Sequence, residues 1–423
     1  MVITIFGLGF VGLTTSLGFA EFGHKVYGVE VNSERLKTIK SGKIPFFEPH
    51  MDKALEKHLN KNFFPVGGSD DELKTALNES EAVYYCVGTP YGEDGAADLK
   101  YLYAAIEQTI KNISDKKFRV LVTKSTVPPK TAVDFVLPHV EKFGGKIGEN
   151  FGVGSNPEFL REGHCWDDFI NADRIVLGVS DEKSEKILRK IYEPANLPVF
   201  CVSLNTAEFI KYLSNTLLAT MISFSNEMAS VAENIGDIDI KKAFDILHMD
   251  KRWNNCNMTT YVYPGCGYGG YCLPKDTNAF FACSKKNGFP AEILHQVIEI
   301  NDRMPNIIAD RIAKKINYNK NLKLGILGLS FKPNSDDVRD SSAAKVIHQL
   351  KNLGYEKILA YDPQAIEEFK SHYDFDIFYC DSYEKILESA DVFIILTAWD
   401  EFSDLNERTN KKIIDCRYKL KAQ

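Results

Sequence analysis

The sequence lacks the features that mark several large classes of protein. Its 423 residues carry a formal net charge of −7, so it has no basic surface of the kind that binds nucleic acid. No apolar run is long enough to span a bilayer. The N-terminus, MVITIFGLGF, has no basic segment before its apolar residues, which argues against a signal peptide. We therefore expect a soluble cytoplasmic protein that binds neither nucleic acid nor membrane.

Cysteine usage argues against two further classes. The nine cysteines are odd in number and have no repeated spacing, which is typical of reduced thiols rather than of a disulfide framework. Neither a CxxC pair nor a Cys/His cluster with zinc spacing occurs, so we predict no metal site. The length exceeds what one hydrophobic core fills, and two or three domains are expected.

The N-terminal region has the order of elements found in dinucleotide-binding units. A strand at 2–6 is followed by GLGFVG at 7–12, a helical pattern at 13–22 and a second strand at 25–29. In such units the first glycine makes a tight turn, the second lets the backbone approach a pyrophosphate, and the third permits close helix packing. The pattern predicts these roles for Gly7, Gly9 and Gly12.

Glu30 follows the second strand at the distance expected of an acid that binds a ribose 2′-hydroxyl. A carboxylate here would repel a 2′-phosphate, so the pattern favours NAD over NADP. Arg35 is the nearby residue that could favour the phosphate instead.

The rest of the chain continues the alternation of strands and helices. Strands are predicted at 82–87, 120–123 and 151–155, and again at 322–327, 357–361 and 392–396. Most are followed by turns of small polar residues and prolines, at the edge where doubly wound sheets bind ligands. Between the two sets, residues 206–236 form one continuous proline-free helical pattern. A helix of this length usually joins two domains or packs against a partner subunit.

The segment GYGGYCLPKD, residues 267–276, surrounds one cysteine with glycines and a Lys-Asp pair. Most cysteines are inert small hydrophobes. Cys272 differs because its neighbours offer charge and a backbone that can approach a ligand closely, a setting in which a thiolate is stabilised.

Glu208, Lys211 and Asn215 share one face of the long predicted helix because they are spaced i, i+3, i+7. An ammonium and an amide one turn apart suit a carbonyl or alkoxide oxygen. Taken alone, such a stripe is more often solvated.

These motifs together resemble the UDP-glucose/GDP-mannose dehydrogenase family. The matching segments follow the family's order over nearly the whole chain, and they are GLGFVG, GTP, STVPPKT, NPEFLREG, AEFIKYLSN, PGCGYGGYCLPKD, LGLSFKP and VRDSS. The resemblance implies four-electron oxidation of the C6 alcohol of a nucleotide sugar to a carboxylate with two NAD.

The resemblance also implies catalytic roles. Lys211 and Asn215 would hold the oxygen on C6, and Cys272 would form a thiohemiacetal and then a thioester. Asp276 and Thr126 would hold the hydrolytic water, and Glu158 would act as acid and base in cleavage of the thioester.

Further residues match the two binding sites of the family. Those matching the cofactor site are Gly7, Gly9, Phe10, Val11, Gly12, Glu30, Arg35, Thr89, Thr126, Glu162, Lys275 and Arg339. Those matching the substrate site are Phe159, Leu160, Arg161, Glu162, Lys211, Asn215, Arg252, Tyr261, Gly269, Lys332 and Arg417.

One segment departs from the family pattern. Arg252 resembles an arginine that reaches across a dimer interface to the partner's sugar, but the family's Arg-Ile-Gly is here Arg252-Trp253-Asn254. The loop from there to Cys272 is also longer than the pattern leads us to expect.

The substrate is expected to be UDP-glucose. Members that oxidise N-acetylated sugars tend to carry a His before the cysteine and no lysine after the following proline, whereas this chain has Tyr271 and Lys275. GDP-mannose dehydrogenases share the LPKD ending and are the alternative, followed by UDP-N-acetylhexosamine dehydrogenases. A two-electron hydroxyacid dehydrogenase and a non-catalytic sensor of NAD and a sugar nucleotide are more distant alternatives.

The expected fold is α/β, with two Rossmann-like doubly wound domains joined by a long central helix. We expect an NAD-binding domain at 1–205, a central helical dimerisation domain at 206–305 and a sugar-nucleotide-binding domain at 306–423. A homodimer through the central helix is predicted, with the active site between the domains.

Overall fold

The computed structural model describes two compact units of the chain. The described residues are 1–68, 70–92, 95–250, 261–288 and 290–420. The units are Met1–Ser214 and Asn215–Gln423. The predicted substrate residue Arg252 lies outside the described residues.

The first unit is built on one eight-stranded sheet. Its strands are β1 Val2–Phe6, β2 Lys25–Val29, β3 Phe63–Val66, β4 Ala82–Tyr85, β5 Arg119–Thr123, β6 Phe151–Ser155, β7 Ile175–Val179 and β8 Val199–Val202. The order is β3-β2-β1-β4-β5-β6-β7-β8, and the pairs from β3 to β6 are all parallel. The order of the first six strands is that of a Rossmann fold. β7 runs antiparallel to β6.

Helices cover both faces of this sheet. They are α1 Phe10–Glu21, α2 Ser33–Lys40, α3 Met51–His58, α4 Asp70–Glu79, α5 Lys100–Asn112, α6 Leu137–Lys142, α7 Cys165–Ile170 and α8 Glu182–Tyr192, with a π-helical turn at Ala132–Val136 and a 3₁₀ turn at Glu193–Ala195. β1 shows why two layers form, because Ile3 and Ile5 belong to one apolar cluster and Phe6 to a second. A strand buried on both faces is apolar at nearly every position.

A single long helix, α9 Leu204–Ile235, leads out of the first unit. The second unit contains α10 Ile240–Leu247, α11 Cys272–Lys286, α12 Glu292–Lys315, α13 Ser342–Asn352, α14 Ile366–His372, α15 Tyr383–Ser389 and α16 Leu405–Arg408, with a 3₁₀ turn at Asp400–Asp404. Its strands are β9 Leu324–Leu327, β10 Ile358–Tyr361, β11 Phe378–Tyr379, β12 Val392–Ile395 and β13 Lys412–Asp415.

The second sheet has the order β11-β10-β9-β12-β13, and all of its pairs are parallel. Its central strands are buried, and α12 and α13 pack on them in one apolar cluster with Ile326 and Ile394. The predicted α/β fold, with two Rossmann-like sheets and a long central helix, is confirmed. The three-domain boundaries stay a prediction.

All eight predicted strands agree with the structure to within two residues at each end. β1, β2 and β6 have the predicted bounds, and the long helix differs by two residues at its start and one at its end. Five strands were not predicted, and four of these, β3, β8, β11 and β13, lie at sheet edges. β8, β11 and β13 are short and only partly buried, and β3 is interrupted by Pro65, so none of them shows the long buried run of a central strand. In the described ranges, no helix combines the length and apolar character needed to cross a membrane.

Glu208, on the second turn of α9, is a buried carboxylate that binds the start of another helical segment. Its side chain is 2% exposed, and Oε1 accepts a hydrogen bond of 2.8 Å from the Ala132 amide. Burial raises the pKa of Glu208 to about 8, although the amides of residues 130–132 oppose the rise. The folded protein therefore binds a proton that the unfolded chain releases near the ordinary value of 4.5.

Replacing Glu208 should make the free energy of unfolding less dependent on pH between pH 5 and pH 8.5. Because the pKa is raised on folding, this group stabilises the fold below about pH 4.5, and its contribution is lost as the pH rises towards 8. The free energy of unfolding of Glu208→Gln, relative to that of wild type, should therefore rise by up to about 4 kcal/mol from pH 5 to pH 8.5. Urea unfolding at both pH values measures this. Glu227→Gln, an exposed site on the same helix, is the control. An equal difference at both pH values for Glu208→Gln would contradict the assignment.

Candidate active site

The turn between β1 and α1 has the geometry of a pyrophosphate site. Gly7 has φ of 87° and donates its amide to Val29 O at 2.8 Å, and a Cβ on Gly7 would lie 2.8 Å from Cys86 O. A Cβ on Gly12 would lie 1.7 Å from Gly7 O, so the helix could not pack there with a side chain. A Cβ on Gly9 would meet nothing within 4 Å. The space beside Gly9, at the start of α1, therefore fits a phosphate group.

Glu30 directly follows β2 and lies next to this turn. It is 4% exposed, and its carboxylate accepts hydrogen bonds from the amides of Leu8 at 3.1 Å and Asn32 at 2.8 Å. The Arg35 guanidinium pairs with the same carboxylate at 3.2 Å. The arginine that could have favoured a 2′-phosphate is thus partnered by the acid, and the pair fits NAD.

The parallel strands β4, β5 and β6 bring candidate residues to one edge of the sheet. Thr89, Thr126 and Glu158 each lie a few residues beyond a strand end, and carboxyl ends of parallel strands share an edge. The Thr89 hydroxyl donates to Thr126 O at 2.8 Å, so two residues predicted to line the cofactor are in contact.

Glu158 forms a buried ion pair with Lys211. Their side chains are 6% and 5% exposed, and Lys211 Nζ lies 2.9 Å from Glu158 Oε1. Burial by itself would raise the pKa of Glu158, but the Lys211 ammonium, the Leu160 amide and the Lys124 ammonium together lower it below its usual value. Glu158 is consequently ionised at neutral pH and is able to accept a proton.

The segment that follows Glu158 is held in place by acids that the sequence did not single out. Glu48 accepts the amides of Gly163 and Cys165, both at 2.8 Å. The Arg161 guanidinium pairs with Asp168 at 2.6 Å. The Arg161 backbone amide also donates to Asp168, at 2.8 Å, so Arg161 has a structural contact of its own, and its substrate role stays a prediction.

Two further predicted residues lie in the same segment. The Phe159 ring has Lys211 Nζ at 5.6 Å and the Arg174 guanidinium at 4.3 Å from its centre. Glu162 is half-buried.

Lys124 is a residue of this region that sequence reasoning missed. It follows β5 directly, is 4% exposed and donates to Asn156 Oδ1 at 3.1 Å. A lysine at the carboxyl end of a central strand, in the run Thr-Lys-Ser-Thr, was the available signal, since such a position faces the ligand edge.

In the second unit, Cys272 is the first residue of α11. A thiol at a helix N-terminus is favoured as a thiolate by the helix dipole. The interaction with the Cys272 thiolate is among the causes that raise the pKa of Lys275, after the opposing effect of burial and the larger effect of Asp276. By the same interaction the Lys275 ammonium favours the thiolate.

Asp276 joins two other candidates. It is fully buried, and it accepts a hydrogen bond of 2.6 Å from Asn215 Nδ2 and a short one from Lys275. Lys275, predicted to line the cofactor, is thus also the partner of Asp276, the carboxylate predicted to hold the hydrolytic water.

The glycines before Cys272 are explained by protein packing. A Cβ on Gly265 would lie 2.8 Å from the Arg417 guanidinium, one on Gly267 would lie 2.6 Å from Asn301 Oδ1, and one on Gly269 would lie 2.4 Å from Asp340 O. Gly270, with φ of 77°, packs against the Phe331 ring. Close approach to a ligand was the expected reason for these glycines, and the contacts found are with the protein itself. The binding role of Gly269 stays a prediction.

The remaining predicted residues of this unit are described by their contacts or by their burial. The Arg339 guanidinium stacks on the Tyr271 ring at 4.4 Å and pairs with Asp337 at 2.6 Å. Arg417 lies against Gly265, as above, and Lys332 and Tyr261 are half-buried. Across the described ranges, no group of three or more His, Cys, Asp or Glu residues could hold a metal ion.

A Rossmann sheet with this turn and Glu30 is typical of a dinucleotide-binding protein, and comparison with known proteins identifies its family. Models of the UDP-glucose/GDP-mannose dehydrogenase family match the NAD binding domain at residues 1–196, the central domain at 205–303 and the UDP binding domain at 325–422. The chain therefore belongs to this family.

Individual relatives are similar over nearly the whole chain. UDP-glucose 6-dehydrogenase of Rickettsia bellii is 37% identical, with 100% of this chain and 96% of the relative covered. UDP-glucose 6-dehydrogenase TuaD of Bacillus subtilis is 34% identical, with 95% and 85% covered. The solved structure of a UDP-glucose dehydrogenase from Pyrobaculum islandicum has a TM-score of 0.91 at 33% identity, with 99% of this chain and 96% of that chain covered.

The family assignment confirms the cofactor, NAD, and the class of reaction, an NAD-dependent oxidation of a nucleotide sugar. The individual roles of the site residues stay predictions.

The electrostatic interaction between Lys275 and the Cys272 thiolate predicts how the thiol reacts. Lys275→Met should slow alkylation of Cys272 by iodoacetamide at pH 7 about tenfold, because one nearby positive charge is worth roughly one pKa unit of thiolate stabilisation. Peptide mass spectrometry would follow the modification of Cys272 over time. Lys286→Met, at an exposed position of the same helix, should leave the rate unchanged. Equal rates in wild type and Lys275→Met would show that the thiolate does not depend on this lysine.

Proposed function

We propose that the protein is a UDP-glucose 6-dehydrogenase, which oxidises the C6 alcohol of UDP-glucose to the carboxylate of UDP-glucuronate. The observation that carries the proposal is the position of Cys272 at the start of α11 beside Lys275, because a two-electron alcohol dehydrogenase needs no activated thiol. The relatives named above support UDP-glucose as the sugar nucleotide. When bound, NAD accepts the hydride in each of the two oxidations.

In the first oxidation the C6 hydroxyl loses its proton as the hydride leaves carbon. Lys211 and Asn215 are proposed to hold this oxygen, the ammonium stabilising its developing negative charge and the amide fixing its position. Glu158, ionised and paired with Lys211 at 2.9 Å, is proposed to accept that proton, and it is also proposed as the acid and base in cleavage of the thioester.

Cys272 is proposed to retain the aldehyde. Its thiolate adds to the carbonyl carbon, a C–S bond forms, and the oxygen takes a proton to give a thiohemiacetal. Loss of the second hydride and of that proton gives a thioester. Water then adds to the thioester carbon, the C–S bond breaks and the thiolate leaves, which regenerates Cys272 and yields the carboxylate.

Hydrolysis of the thioester needs a positioned water. Asp276 is proposed to hold it together with Thr126, while the hydrogen bonds from Asn215 and Lys275 fix the orientation of the Asp276 carboxylate. Phe159, Leu160, Arg161, Glu162, Tyr261, Gly269, Lys332 and Arg417 are proposed to bind the nucleotide sugar, where Lys332 and Arg417 would suit its diphosphate.

The yield of NADH separates this function from its alternatives. With limiting UDP-glucose, wild type should form two NADH per sugar, whereas Cys272→Ala should form one at most because no thioester can form. Absorbance of NADH against residual UDP-glucose measures the ratio, and GDP-mannose and UDP-N-acetylglucosamine are tested in parallel. Cys283→Ala, on the same helix, is the control. One NADH per sugar in wild type, or two in Cys272→Ala, would point to a different dehydrogenase.

We also propose that the protein forms a homodimer through α9. Six large apolar side chains at helical spacing along α9 are between 42% and 70% exposed, and they are Phe209, Leu213, Leu217, Phe224, Val231 and Ile235. We refer to them as the α9 stripe. An apolar stripe of this length on a helix is typical of a face that packs against another protein.

Charges placed on the α9 stripe should separate the subunits. The double variant Leu217→Glu, Phe224→Glu is expected to sediment as a single chain, because burying two carboxylates in an apolar contact without partners is costly. Wild type should sediment as two chains. Tyr101→Glu, at an equally exposed aromatic on α5, should sediment like wild type. A dimer of the double variant with undiminished affinity would place the interface elsewhere.

A further inference from the structure

A second buried lysine, Lys124, interacts electrostatically with the Glu158–Lys211 pair, and the roles proposed so far do not use it. Lys124 is 4% exposed and follows β5 at the ligand edge of the first sheet. Its ammonium donates to Asn156 Oδ1 at 3.1 Å.

Asn156 is itself fixed in orientation. Its Oδ1 also accepts a hydrogen bond of 2.5 Å from the Tyr192 hydroxyl, and its Nδ2 donates to Val176 O at 2.9 Å. Because the amide group donates on one side and accepts on the other, it cannot turn without losing these bonds. The Lys124 ammonium is therefore held at a defined position by Asn156, which lies two residues before Glu158 in the chain.

Several groups that face Lys124 and Glu158 are uncharged at neutral pH. Burial raises the pKa of Cys86 to about 12 and the pKa of Tyr192 well above its usual value, so both are neutral. The Phe169 ring lies 5.9 Å from Lys124 Nζ and is uncharged. Lys211 and Lys124 both lower the pKa of Glu158 in this cluster by their positive charge.

Lys124 is poised between its two protonation states. Burial lowers its pKa to about 8, with Cys86 and Glu158 opposing the shift and Lys211 adding to it. At pH 7 the ammonium is still mostly present, and it contributes to keeping the pKa of Glu158 low. A carboxylate buried with one ammonium alone would be protonated more readily.

We propose that Lys124 is a positioning residue, whose ammonium, held by Asn156, keeps the Glu158 carboxylate ionised beside Lys211. The inference rests on the base role proposed for Glu158. Lys124 itself is not assigned a contact with substrate or cofactor. It acts through Glu158, so its removal should change the pH at which the base works more than it changes the binding of either ligand.

The test removes the charge and keeps the shape. In Lys124→Met the acidic limb of the profile of kcat against pH should move upward by about one unit, while KM for UDP-glucose and NAD changes less than about twofold. Lys124→Arg retains the charge and should restore the limb towards its wild-type position. Tyr192→Phe removes the other hydrogen bond to Asn156 Oδ1 without changing charge, and its limb should not move.

A second measurement needs no turnover. Infrared difference spectra recorded against Glu158→Gln identify the carboxylic acid band of Glu158, and the pH at which this band appears should be higher in Lys124→Met than in wild type. Lys124→Gln is the replacement if Lys124→Met does not fold, as judged by circular dichroism.

The outcomes separate the two proposals. If wild type forms no NADH from UDP-glucose but the Glu158 band still moves in Lys124→Met, the proposed function fails and the influence of Lys124 on Glu158 stands. If wild type forms two NADH per sugar and neither the acidic limb nor the band moves on loss of Lys124, the inference about Lys124 is overturned. An equal shift in Tyr192→Phe would also overturn it, since packing rather than charge would then be the cause.

Discussion

The buried ion pair between Lys211 and Glu158 is the constraint on which much of the first unit depends. It joins the start of α9 to the segment that leaves β6, and both side chains are almost fully withdrawn from water. Removing one member of such a pair leaves an uncompensated buried charge at a cost of about 3–5 kcal/mol. The strand order brings β6 to the same edge as β4 and β5, so this one contact fixes the lysine relative to the ends of three strands.

The second unit contains another buried carboxylate that is stabilised by buried hydrogen-bond donors. Asp276 is fully buried, and Asn215 and Lys275 supply its hydrogen-bond donors. Residues 265–268, before Cys272, are held as well, because Asn301 exchanges hydrogen bonds of 2.8 and 3.1 Å with the backbone of Tyr268, and Asn226 accepts the Gly265 amide at 2.7 Å. A glycine-rich segment is thus rigid here, and the glycines make room for the groups that hold it.

The sequence was sufficient for the central strands and for the identity of most candidate residues, but not for their partners. β1, β2 and β6 are apolar runs with clear turn residues after them, whereas β11 has only two residues and β3 contains Pro65. β7 is buried, but it reverses direction against β6 and so falls outside the regular alternation that guided the prediction. Lys124 and Glu48 escaped notice because a charged residue in a sequence is read as solvated until its burial is known. Pairings such as Lys275 with Asp276 depend on side-chain direction, which sequence spacing does not specify.

The long helix α9 has an exposed apolar face and, on its other side, a face that carries buried polar residues. With 3.6 residues per turn, the α9 stripe spans about 80° of the helix circumference, and Lys211 and Asn215 fall close to the opposite side. These two polar residues are buried, at 4% and 7% exposure. The face proposed to contact a partner subunit is thus separate from the face that carries Lys211 and Asn215. Over evolutionary time, assembly through the first face and reaction chemistry on the second could diverge independently within one helix, and descendants of this chain could change the one while retaining the other.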